Sequence, residues 1–120
     1  MKKINHFIEG KEYSSQSKRF GDVYNPALGE KIAEVSFANS DDVEQAIISA
    51  KNAFSSWSKT PPLTRSRIFF KFKELLVRDM DKLAAQVTEE HGKVISDSIG
   101  SITRGMEVVE FICGVPHLIK

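Results

Sequence analysis

Apolar and polar positions change period along this chain. Between Ile4 and Phe37 the apolar residues form short, partly alternating clusters: Ile4, Phe7 and Ile8; Tyr13; Val23 and Tyr24; then Ile32, Ala33, Val35 and Phe37. Partial alternation over a few residues marks half-buried strands. Turn chemistry separates the clusters. Glu9-Gly10 predicts a hairpin, because glycine accepts the positive φ such a turn needs. Asn25-Pro26-Ala27-Leu28-Gly29 predicts a second turn, with proline presetting φ and glycine closing it. Two small hairpins are marginal in water and need something to lie on.

From Ser40 the period becomes helical. Ser40 reads as an N-cap, and Asp41 and Asp42 suit the positive end of the helix dipole. Val43, Ala46, Ile47, Ala50, Ala53, Phe54 and Trp57 share one face, and the three alanines would admit a close neighbour. Pro61 and Pro62 forbid continuation, and Thr60 is placed to cap the next helix. That helix turns Ile68, Phe69, Phe72, Leu75 and Leu76 inward. Asp79 or Asp81 then caps a shorter helix with Leu83, Ala84 and Val87 inside, and Gly92 stops it.

The closing stretch, Ile95 to Lys120, carries apolar residues at Ile95, Ile99, Ile102, Met106, Val109 and Cys113. Steps of four and three put them on one helical stripe. A second stripe appears at Val108, Phe111, Ile112 and Val115. A helix apolar on two faces must be covered on two faces. Pro116 should end or kink it. Arg104 lies on the second line, pointing at surface that becomes apolar one turn later. One reading is a rim arginine with its head in water, paired with Glu107; the other is a donor fork that grips a carboxylate or phosphate.

Composition narrows the picture. The 120 residues allow one domain with a modest core, and 41% hydrophobic with 28% charged residues is ordinary for a soluble globular chain. The second helix is basic at Arg65, Arg67, Lys71, Lys73 and Arg78, yet the net charge is only +1, so nucleic acid is not expected as a partner. No apolar run approaches the ~20 residues needed to span a bilayer, so no membrane partner is expected either. The opening Met1-Lys2-Lys3-Ile4-Asn5-His6 lacks the apolar core of a secretory signal. A single cysteine fits a reducing compartment, and the chain is read as cytoplasmic.

Visible chemistry is sparse. His6, His91 and His117 are far apart, and none pairs with a carboxylate or cysteine at metal spacing. Cys113 sits on a buried stripe without a basic neighbour, so it reads as core rather than nucleophile. Glu110 shares the polar line with Glu107 and is not indicated as a buried base. There is no glycine-rich phosphate loop. No catalytic, cofactor-binding or metal-ligating residue is assigned. The pattern is an α/β piece, strands first and about four helices after, whose last helix still wants covering.

Longer motifs carry a resemblance. The run Arg104-Gly105-Met106-Glu107-Val108-Val109-Glu110-Phe111-Ile112-Cys113-Gly114-Val115-Pro116-His117-Leu118 resembles the N-terminal region of CoA-acylating methylmalonate-semialdehyde (malonate-semialdehyde) dehydrogenases, a branch of the aldehyde dehydrogenase superfamily. Phe7-Ile8-Glu9-Gly10-Lys11, Asn25 to Glu30, Thr60-Pro61-Pro62-Leu63, Arg65 to Leu76 and Glu90-His91-Gly92-Lys93 match in the same register. Ser101 departs from it, since relatives usually carry an acid there.

The resemblance implies the N-terminal fragment of the aldehyde dehydrogenase fold. Residues 1–120 would form a single partial domain, with β-hairpins over 1–38 and helices over 39–120 that pack on a Rossmann-like NAD domain. It implies a family that oxidises malonate or methylmalonate semialdehyde with NAD, passes the acyl group from a cysteine to CoA, and serves valine catabolism. It also implies that Arg104 faces the substrate's carboxylate. The family's nucleophile and NAD-contacting segments lie beyond these residues, and Cys113 does not match that nucleophile. The chain is therefore expected to be a truncated, inactive relative that binds neither NAD nor CoA alone. The alternative is a non-catalytic module that docks onto a separately encoded remainder. Expected partners are a small aldehyde substrate in the full-length family, and either further copies of the chain or the remaining dehydrogenase segments.

Overall fold

The computed structural model describes residues 1–119; Lys120, the end of the closing stretch read above, lies outside them. The chain divides into two compact units, Met1–Lys59 and Thr60–Lys120. The step from strands to helices falls near 39, whereas the step between packing units falls at 59/60, so the first helix belongs with the strands.

In the first unit the sequence Ile4 to Ile8, which reads as one run, is two strands broken at Asn5. Lys2–Ile4 (β1) lies parallel to Glu30–Ser36 (β5), with Ile4 opposite Val35. His6–Ile8 (β2) turns away to pair antiparallel with Lys11–Tyr13 (β3). Phe20–Asn25 (β4) pairs antiparallel with β5, giving the order β1-β5-β4. Parallel pairing between distant segments leaves no turn signal to read, which is why periodicity missed it. The hairpin turn is as expected: Glu9 and Gly10 have φ of 58° and 75°, the geometry that suits the strand twist. At the second turn Gly29 has φ 69°, and the Asn25 side chain accepts from the Ala27 amide. Lys31 bridges Asp22 at 2.6 Å and Glu34 at 2.8 Å, which raises its pKa.

Ser40–Trp57 (α1) closes the unit. Its N-cap is Asn39, not Ser40. The Asn39 carboxamide accepts from the Asp42 amide at 2.9 Å, and the Asp42 carboxylate accepts from the Asn39 amide at 2.8 Å. This reciprocal box satisfies two orphan donors, which Ser40 cannot do one residue later. The expected apolar face is present but bare: Ile47 is 59% and Phe54 68% exposed.

The second unit holds Pro62–Arg78 (α2), Met80–His91 (α3) and Ile95–Cys113 (α4), followed by a 3₁₀ turn at Val115–His117. The N-cap of α2 is Pro61 rather than Thr60, with Pro62 at the first helical position, where its missing amide is harmless. Asp79 caps α3 by position only. Its carboxylate instead accepts from Nε and Nη2 of Arg78, at 2.9 and 2.7 Å, which lowers its pKa. Gly92 ends α3 at φ 81°, as expected. Both α2 and α3 pack on α4. Ala84 and Ser98 have no exposed surface; of the first stripe of α4, Val109 and Cys113 are buried and Ile99, Ile102 and Met106 half-buried. Its N-terminal member, Ile95, is exposed. The second stripe is half uncovered: Val108 and Phe111 are exposed, the latter at 66%, while Ile112 and Val115 are half-buried. Within α2, Phe69, Leu75 and Leu76 are half-buried, while Ile68 and Phe72 line an open apolar depression. Lys73 reaches Glu110 at 2.6 Å, fixing α2 to α4. No described helix is long and apolar enough to cross a membrane.

Candidate functional site

Arg104 stands in the middle of α4, and long helical side chains lean towards the N-terminus over the preceding turn. Its Nη2 donates to Ser101 Oγ at 3.2 Å. Its Nη1 lies over Gly100, 3.6 Å from where a Cβ would stand, a distance of ordinary van der Waals contact. The expected pairing with Glu107 is not what holds it; Ser101 does. The guanidinium is exposed and has no carboxylate partner among the described residues.

Ser101 has a second cation. Lys93, the residue before the Val94 N-cap, sends its Nζ two turns up the helix to Ser101 Oγ at 2.7 Å. One hydroxyl oxygen therefore accepts from Lys93 and from Arg104. Ser101 and Arg104 are i and i+3 on one helix, a pairing the sequence reading passed over in favour of Glu107. Sequence spacing did not show Lys93, because the eight-residue reach depends on how the chain enters α4.

A second polar cluster surrounds Asp42, which is 3% exposed. Ser15 Oγ donates to Oδ2 at 2.5 Å, and Asn39 N does so at 2.8 Å. These donors, with His6 and Tyr13 nearby, hold the carboxyl below the usual carboxylate range against the opposing effect of burial. His6 Nε2 is 3.8 Å from Oδ2, a proximity that linear spacing hid, and makes no hydrogen bond. Asp42 also serves as the N3 residue of the α1 cap, so the cluster ties the Ser14–Ser17 connector to that helix.

The other candidates stay apart. Cys113 is free and buried, as a core residue. Glu110 is committed to Lys73. No group of three or more His, Cys, Asp or Glu that would hold a metal occurs among the described residues.

The sequence profile of the aldehyde dehydrogenase family matches residues 13–120. Malonate-semialdehyde dehydrogenase 2 of Bacillus thuringiensis (strain Al Hakam) is 44% identical over 115 residues, 96% of this chain and 24% of that protein. A structure from Sinorhizobium meliloti 1021, described as a methylmalonate-semialdehyde dehydrogenase complexed with NAD, superposes with a TM-score of 0.97 at 44% identity, over 100% of this chain and 24% of that one. The methylmalonate-semialdehyde dehydrogenase of Oceanimonas doudoroffii gives a TM-score of 0.96 at 43% identity, again over 100% and 24%. The chain thus spans about a quarter of the length of the relatives it matches.

Proposed function

This chain belongs to the aldehyde dehydrogenase family, and from that premise we propose that it is scaffold and substrate-binding surface from the N-terminal part of a CoA-acylating methylmalonate- or malonate-semialdehyde dehydrogenase. The observation that carries the reading is 44% identity across 96% of the chain to a malonate-semialdehyde dehydrogenase. In the assembled enzyme Arg104 binds the semialdehyde's carboxylate. Its exposed guanidinium, directed across Gly100 and engaged among the described residues only by a neutral hydroxyl, supports that role.

On this reading, residues 1–119 do not turn over aldehyde alone. Acyl transfer needs an accessible thiolate, and the one thiol here is packed into α4. NAD supplies the hydride acceptor in the family, but the described residues do not fit its pyrophosphate. The strand-to-helix junction from β5 into α1 has no glycine-rich turn. Its helix start is occupied by the Asn39–Asp42 box and faces a phosphate with Asp41 and Asp42. NAD and CoA would therefore be held by other parts of the enzyme. The free, buried thiol suits the reducing cytoplasm, where we place the protein.

A second reading, a module that docks onto separately made dehydrogenase segments or onto further copies, is favoured by the bare faces of α1 and α4 at Ile47, Phe54 and Phe111. One experiment serves both. Residues 1–120 replace the matching quarter of the B. thuringiensis relative, either fused or co-expressed with the remainder. NADH formation from methylmalonate semialdehyde and CoA by the fused protein supports the first reading, and by the co-expressed pair the second. A folded fusion that oxidises propanal but not the semialdehyde refutes the substrate role.

A further inference from the structure

We propose that Lys93, Ser101 and Arg104 form one anion-binding site whose ligand is a small carboxylate. The inference rests on the carboxylate role given above to Arg104 and extends it to two residues that carry no role there. A hydroxyl oxygen has two acceptor positions, and both are taken, by Lys93 Nζ at 2.7 Å and Arg104 Nη2 at 3.2 Å. The Ser101 hydrogen must therefore point away from both cations. Two positive groups are each held a hydrogen bond's length from one neutral atom. Neither has a carboxylate partner among the described residues, so their mutual repulsion is unrelieved there. Each cation keeps further N–H groups beyond the one spent on Ser101. The cluster presents donors and positive charge alone, the complement of an anion.

Carboxylate fits better than phosphate. Ser101 and Arg104 lie in the interior of α4, where backbone amides are committed to the helical ladder. The row of free N–H groups that cradles phosphates at helix starts is missing. What remains is a planar fork and one ammonium, which suit the two oxygens of a carboxylate. Ser101 acts as a positioning residue: it holds both cations on one side of the helix.

The test is a titration of the 120-residue chain with sodium malonate, followed by nitrogen-edited NMR of the backbone and the arginine side chains. Saturable shifts confined to Lys93 and Gly100–Arg104 are expected. Lys93→Gln should weaken malonate about tenfold and Ser101→Ala about threefold. Lys93→Arg should restore most of the affinity, which a merely structural loss would not allow. Malonate affinity unchanged in both Lys93→Gln and Ser101→Ala overturns the proposal, as does inorganic phosphate binding more tightly than malonate. A separate arm uses Arg104→Ala in the fused dehydrogenase. If that variant loses no preference for the acidic semialdehyde while the chain still binds malonate through Lys93, the substrate role fails and the anion site stands. If the preference is lost but Lys93→Gln and Ser101→Ala leave malonate binding intact, the substrate role stands and the three-residue site fails.

Discussion

Thr88 and Ser98 share a 2.8 Å hydrogen bond where α3 meets α4, and Ser98 is wholly enclosed while Thr88 is only half-buried. The asymmetry sets the effect of breaking it. Thr88→Val leaves a buried hydroxyl without this partner and should cost about 2 kcal/mol. Ser98→Ala removes the buried group itself, and Thr88 can turn to water, so about 1 kcal/mol or less is expected. Urea unfolding of the two variants decides it. A larger loss for Ser98→Ala would mean that packing, not the bond, matters there.

Asp42 makes the first unit acid-sensitive. Its folded pKa is depressed, chiefly by the Ser15 hydroxyl and the Asn39 amide. A depressed carboxylate contributes stability that is present above the unfolded value, about 4, and lost as pH falls through the folded value. Helix signal from α1 should therefore hold at neutral pH and decline below about pH 4. Asp42→Asn should flatten that decline and lower stability at pH 7. An acid profile unchanged by Asp42→Asn would remove Asp42 from the explanation.

Asn39→Ala tests the capping box from its other side. It should destabilise α1 by about 1 kcal/mol, whereas Ser40→Ala should change little. Amide hydrogen exchange across the first turn of α1 reports the difference. Equal effects would restore Ser40 to the cap.

These positions mark how far the sequence could be read. Gly10, Gly29 and Gly92 sit in left-handed backbone where their local motifs placed them, because a turn or a helix end is decided within a few residues. The helices followed from period for the same reason. The caps of α1 and α2 each lay one residue from expectation, at Asn39, where Ser and Asn compete on nearly equal terms, and at Pro61, which makes no side-chain cap bond. The parallel pairing of β1 with β5, the approach of His6 to Asp42 and the reach of Lys93 to Ser101 join residues distant in sequence. No local propensity encodes such pairs. Arg104 stands out because a charge lies on an apolar line; the rim reading paired it with Glu107 at i+3, whereas its contact is Ser101 at i−3, equally within reach on a helix.

The bridge between Lys73 and Glu110 joins two half-exposed side chains at 2.6 Å. Screening limits such a pair, so Lys73→Ala should cost at most about 1 kcal/mol and the loss should shrink in high salt. Thermal melts at low and high ionic strength check this. A loss independent of salt would assign the effect to the lysine stem packed on α4.

Arg104→Ala in the fused dehydrogenase is the most direct probe of the proposed function. Among the described residues the guanidinium meets only a neutral hydroxyl, so its removal strands no buried charge and should leave the fold intact. A charge-assisted contact to a carboxylate contributes about 1.5–3 kcal/mol, or roughly ten- to a hundredfold in kcat/KM for the semialdehyde. Propanal has no carboxylate and should change less than about twofold. Arg104→Lys should fall between, because an ammonium keeps the charge but not the fork. The loss should appear mainly in KM, since the carboxylate is present in the ground state as well as the transition state. Equal losses for both aldehydes would refute recognition of the carboxylate by Arg104 and leave the residue a structural part in α4.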